Sequence, residues 1–172
     1  QKNEVPPIWL MRQAGRYLPE YKETRKKAGS FLDLCYNVEL ATEVTLQPIR
    51  KFDFDSAILF ADILLLPQAL GMKLWFVEGE GPRLNSIING FNINDLKETD
   101  YIHERLEPVY NIVKSIKSKL PSDKTLIGFA GAPWTVATYM VNGRGSKEHE
   151  ETKKYMYQNQ ISFDKLIDII TK

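Results

Sequence analysis

The chain has 172 residues, 43% hydrophobic and 26% charged, with a formal net charge of +1. That balance suits one domain with a sizeable core over residues 1–172. It excludes a global field for nucleic acid or an anionic membrane, so any anion selectivity is local. Cys35, the single cysteine, leaves no intramolecular disulfide and fits a reducing cytoplasm or organelle matrix. No apolar run approaches the ~18 residues of a membrane helix, and the opening "QKNEVPP" holds no apolar signal core.

In chain order, "IWLM" (8–11) is the first predicted strand, "SAILF" (56–60) the second and "TLIGFA" (125–130) the third. None alternates with polar residues, which is the pattern of strands buried on both faces. Helices are expected between them. The charge run "KETRKKAG" reads as helix surface. "VELATEVTLQPIRKF" (38–52) starts behind Asn37, a suitable N-cap, and Pro48 is expected to kink it or end it early. Leu106, Val109, Val113, Ile116 and Leu120 step by three and four, which predicts a helix over about 102–120 with one apolar stripe. Pro121-Ser122-Asp123 breaks it. "PWTVATYMV" is a further helix, interrupted at Gly143 and Gly145, with helical stretches to the end. Strands alternating with helices imply right-handed β-α-β units and a parallel sheet.

Parallel α/β folds carry their chemistry just beyond the carboxyl ends of the strands. The first strand delivers Arg12 and Arg16 in "RQAGR", the second Asp62, and the third "GAPWT" with Tyr139 one or two helical turns later. Two guanidiniums, a carboxylate and a phenol are thereby expected on one face. Each also has a plain structural reading: surface salt bridges for the arginines, a helix cap for Asp62, a core position for Tyr139. Arg12 and Arg16 can fork onto separate carboxylates. Ala14 and Gly15 leave room for a ligand near the backbone. Arg25 offers a further cation. The ligand suggested is a polycarboxylate rather than a phosphate, because neither a Walker nor a G-x-G-x-x-G pattern occurs. His103 and His149 read as surface residues, Cys35 as a structural thiol, and no metal-ligand spacing is present.

"MRQAGRYLPEY", "FADILLLPQALGM", "GEGP" and "GFAGAPWTVATYMV" with the following G.GSK together resemble the uroporphyrinogen decarboxylase family across nearly the whole chain. The resemblance implies a cofactor-free (β/α)8 TIM barrel, of which this chain supplies the N-terminal half. It further implies a homodimer that removes the acetate carboxylates of uroporphyrinogen III to give coproporphyrinogen III. The implied binding residues are Arg12, Gln13, Ala14, Gly15, Arg16, Arg25, Asp62 and Tyr139, with Asp62 and Arg12 catalytic. A complete barrel needs about 250 residues, and the family's later pocket residues, a Ser or Thr and a near-terminal His, have no counterpart here. Two rival readings stand beside the enzyme. One is a catalytically incomplete half-barrel that binds only porphyrinogen or its missing half. The other is a related methyltransferase, which would bring zinc ligands.

Overall fold

A computed structural model describes residues 5–11, 16–77 and 79–172. The chain divides into two compact units, Gln1–Asp62 with Glu107–Phe129, and Ile63–Leu106 with Ala130–Lys172.

The first unit holds helices α1 (Pro19–Ala28), α2 (Phe31–Tyr36) and α3 (Val38–Phe52), and strands β1 (Ser56–Ile58) and β4 (Thr125–Ile127). α1 is the charge-run helix. It starts with proline at its first position and ends in Arg25, Lys26 and Lys27, beside the negative end of its dipole. Ser30 and Asp33 form a reciprocal capping box that starts α2. Asn37 caps α3 as expected, its side chain accepting from the Leu40 amide at 2.9 Å. Pro48 does not end α3, which runs on to Phe52. Ile49, just beyond it, is buried in the core, and that packing outweighs the one missing amide. Gln47, 3% exposed, ties α3 to α1 by donating to Thr24 Oγ1 at 3.2 Å.

β1 and β4 pair in parallel, Ser56 with Thr125 and Ile58 with Ile127, as the apolar runs "SAILF" and "TLIGFA" suggested. The Leu59 amide continues the ladder to the Ile127 carbonyl at 3.0 Å. The expected first strand is a correction. Residues 8–11 are not a strand, and Ile8, Leu10 and Met11 are 59%, 53% and 62% exposed. Ile8 meets the residue just before β1: its carbonyl accepts from the Asp55 amide at 3.1 Å. Its own amide goes to the Asp55 carboxylate at 2.6 Å. A side chain has thus taken the place of the next main-chain bond, so no ladder propagates.

α5 (Thr99–Lys119) covers the predicted helix, with Pro108 inside it; its residues from Glu107 onward belong to the first unit. Its stripe centres on Ile112 and Ile116, both fully buried. Ile112 stands beside the predicted stripe, whose Val109 and Val113 are half-buried. Burying each isoleucine contributes about 1.5–3 kcal/mol.

The second unit contains α4 (Leu65–Ala69), strands β2 (Leu74–Val77) and β3 (Gly81–Leu84), and helices α6 (Pro133–Asn142), α7 (Glu150–Gln158) and α8 (Gln160–Thr171). β2 and β3 form an antiparallel hairpin, Leu74 opposite Leu84 and Trp75 opposite Arg83. The sequence alone does not reveal it. Val136, Ala137, Met140 and Val141 bury one side of α6, and Trp134 meets Phe163 of α8 edge-on at 5.8 Å. His149 is not a plain surface histidine. It is half-buried at φ +52°, stands 6.3 Å from the Trp134 ring, and its Nδ1 is buried without a hydrogen bond among the described residues. Cys35 is a fully buried thiol, as expected.

Candidate functional site

Asp62 stands just past the carboxyl end of β1, after Leu59, Phe60 and Ala61, all at most 5% exposed. The approach is fixed by buried groups. Thr45 Oγ1 donates to the Ala41 carbonyl at 2.8 Å and accepts from the Phe60 amide at 3.1 Å. The Phe60 ring is held by Phe31 at 5.8 Å and Tyr21 at 6.2 Å. A locked, apolar strand end therefore delivers a half-buried carboxylate. The N-cap position of α4 is Leu64 rather than Asp62.

The arginines are met differently. Arg12, Gln13, Ala14 and Gly15 lie outside the described residues, while Arg16 is exposed in the turn before α1. Arg25, half-buried, donates from Nη1 to the Gly29 carbonyl at 2.8 Å, closing the end of its own helix. Its positive charge also reaches Asp33. That carboxyl is held below the ordinary carboxylate range, chiefly by the Ser30 hydrogen bonds and in smaller part by Arg25.

Arg16, Arg25 and Asp62 belong to the first unit, and Tyr139 to the second. Tyr139 occupies the second turn of α6 and is half-buried. Its carbonyl accepts from the Gly143 amide at 2.7 Å. α6 packs close to the strand-end motif "GAPWT": a Cβ on Gly131 would lie 2.6 Å from Val136 Cγ2 and 3.0 Å from Ile63 Cβ. Tyr139 lines an open cavity of about 390 Å³ together with Arg83, Asn142, Arg144 and Ser146. Arg83 and Arg144 were not among the sequence candidates. Their only signal is basic side chains beside turn glycines, and the packing of β3 on α6 brings them together.

The family model described as uroporphyrinogen decarboxylase matches residues 1–172. A uroporphyrinogen decarboxylase of Jannaschia sp. is 62% identical over 98% of this chain and 49% of its own length. That of Paracoccus denitrificans is 58% identical over the same shares, and that of Rhodobacter capsulatus 58% identical over 99% and 50%. The chain thus spans about half the length of the curated relatives it matches. Among solved structures, a methyltransferase from Methanosarcina mazei superposes with a TM-score of 0.66 at 18% identity, covering 87% of this chain and 44% of that one. Such low identity carries the fold alone, an α/β chain forming half of a (β/α)8 barrel. The family-model match over residues 1–172 and the identity to these relatives lead to one conclusion: the chain belongs to the uroporphyrinogen decarboxylase family.

Proposed function

We propose that the protein is a uroporphyrinogen decarboxylase, removing the acetate carboxylates of uroporphyrinogen III to give coproporphyrinogen III without a cofactor. The observation that carries this reading is Asp62, half-buried just past a parallel strand whose last residues are apolar and locked. Family membership along the whole chain supports it.

Loss of carbon dioxide leaves an electron pair on the acetate methylene, so the reaction needs an electron sink. The pyrrole supplies it. Protonation of the ring carbon next to the acetate-bearing carbon makes the ring cationic. The carbon–carboxylate bond then breaks and its electrons flow into that ring. Protonation of the methylene and loss of the ring proton leave a methyl group. Asp62 accepts hydrogen bonds from the pyrrole N–H groups and stabilises the cationic ring electrostatically. Arg12 fixes the acetate through its planar fork. An arginine, with a pKa above ~12, is a poor proton donor, so its part is orientation. Gln13, Ala14, Gly15, Arg16 and Arg25 complete the carboxylate-binding edge, and Tyr139 contributes a pocket hydroxyl. The working form is a cytoplasmic homodimer. A membrane location draws no support, since among the described residues no helix is long and apolar enough to cross one.

A second reading is a catalytically incomplete half-barrel that binds porphyrinogen or a complementary half only. It is favoured by one observation, the match to about half of each relative. Incubating the intact full-length protein with uroporphyrinogen III under anaerobic conditions, and separating the products by carboxylate number, tests the proposal. Stepwise appearance of seven- to four-carboxylate products is expected. Binding with no product supports the half-barrel, and neither binding nor product overturns both.

A further inference from the structure

The cavity beside Tyr139 holds two guanidiniums in different states. Arg83 is already engaged: its Nη2 meets Glu80 Oε2 at 2.5 Å, and its Nη1 donates to the Pro82 carbonyl at 3.1 Å. Arg144 has no carboxylate within 4.0 Å among the described residues, although Glu150 and Glu151 stand exposed on the same wall.

The backbone that carries Arg144 is nonetheless fixed. Before it, the Gly143 amide donates to Tyr139 and the Gly143 carbonyl accepts from the Leu84 amide at 2.8 Å. Its own carbonyl accepts from Asn142 Nδ2 at 3.1 Å. After it, Gly145 passes so close to the tyrosine that a Cβ there would lie 3.0 Å from the Tyr139 hydroxyl. A cation and a phenol thus share one wall, one glycine apart, with the backbone between them fixed. A planar fork carried on that fixed backbone, with an O–H on the same wall, suits one carboxylate.

We propose that Arg144, with the Tyr139 hydroxyl beside it, binds one peripheral carboxylate of the tetrapyrrole, making it a binding residue outside the Arg12–Arg16 loop. This rests on the decarboxylase reading. The flanking Glu150 and Glu151 disfavour loosely held anions, so the subsite selects a carboxylate delivered by a ligand anchored elsewhere.

The test uses the intact protein and Arg144→Gln, with uroporphyrin, the oxidised eight-carboxylate ring, as equilibrium probe. A lost charge-assisted hydrogen bond is expected to weaken uroporphyrin binding about tenfold or more. KM for uroporphyrinogen is expected to rise about tenfold more than kcat falls, with the thermal midpoint unchanged. Arg144→Lys is expected to recover only part of the affinity. Gly145→Ala, which displaces the hydroxyl, is expected to weaken binding, and to lose that effect in combination with Tyr139→Phe. If wild type and Arg144→Gln bind uroporphyrin equally, the subsite is refuted while the decarboxylase reading stands. If wild type neither binds uroporphyrin nor turns over uroporphyrinogen, both fall.

Discussion

Replacing Gly143 by alanine imposes two separate costs. Gly143 closes α6 in the left-handed region at φ +80°, where an L-residue with a Cβ pays about 1–2 kcal/mol. The new Cβ would also lie 2.8 Å from the Leu84 carbonyl oxygen and 2.9 Å from Ser86 Cβ. Neither neighbour yields easily: Leu84 is hydrogen-bonded to Gly143 itself, and Ser86 is 1% exposed. Overpacking of this kind costs about 1–3 kcal/mol, so Gly143→Ala is expected to lose about 2–5 kcal/mol. Gly90 supplies the control. It sits at φ +99°, and a Cβ there would meet nothing within 4 Å, so Gly90→Ala bears only the conformational cost of about 1–2 kcal/mol. Urea unfolding of both variants in the intact protein, compared through midpoints at a shared slope, isolates the steric part. Equal destabilisation of the two would refute the packing of this loop against β3, and with it the fixed placement of Arg144.

Asn37→Ala removes the cap on the Leu40 amide and is expected to cost about 0.5–2 kcal/mol, read as a lower urea midpoint; no change would mean that α3 starts without help from its cap. Asp33 has a folded-state value held below its unfolded one by Ser30. Its contribution is therefore fully present above the ordinary aspartate range and lost as pH falls through the lower folded value. Ser30→Ala is expected to flatten that acid limb of a stability-against-pH curve, and an unaltered limb would mean that Asp33 contributes nothing to it. Arg12→Lys keeps the charge and loses the fork; uroporphyrinogen binding is expected to weaken markedly at unchanged thermal stability, and normal binding and turnover would refute the carboxylate clamp.

Much of the helical framework was legible because its signals are local. Asn37 before "VELATEV" fixes a helix start by capping an amide, and Pro133 by its preset φ at a position that needs no N–H donor. The pair β1 and β4 was readable from apolar runs bounded by turn residues. The same rule misread "IWLM", since composition does not reveal that the Asp55 carboxylate would intercept the ladder. The hairpin escaped because its strands are four residues each, too short to show alternation, although Gly79 and Gly81 at φ +76° and +86° marked its turn. The placement of Asp62 just past a strand was legible from the apolar run before it. The surroundings of Arg144 were not, because they come from β3 and from the end of α6, far apart in sequence.

The proposed mechanism depends above all on Asp62 supporting a cationic transition state. Asp62→Asn in the intact protein keeps the shape and most of the hydrogen-bonding capacity while removing the charge. Loss of one preorganised electrostatic partner typically lowers kcat by ~10²–10³. A fall of that size is expected in single-turnover decarboxylation of uroporphyrinogen III, with the thermal midpoint nearly unchanged. A near-normal kcat together with a midpoint several degrees lower would contradict the mechanism and make Asp62 a structural residue.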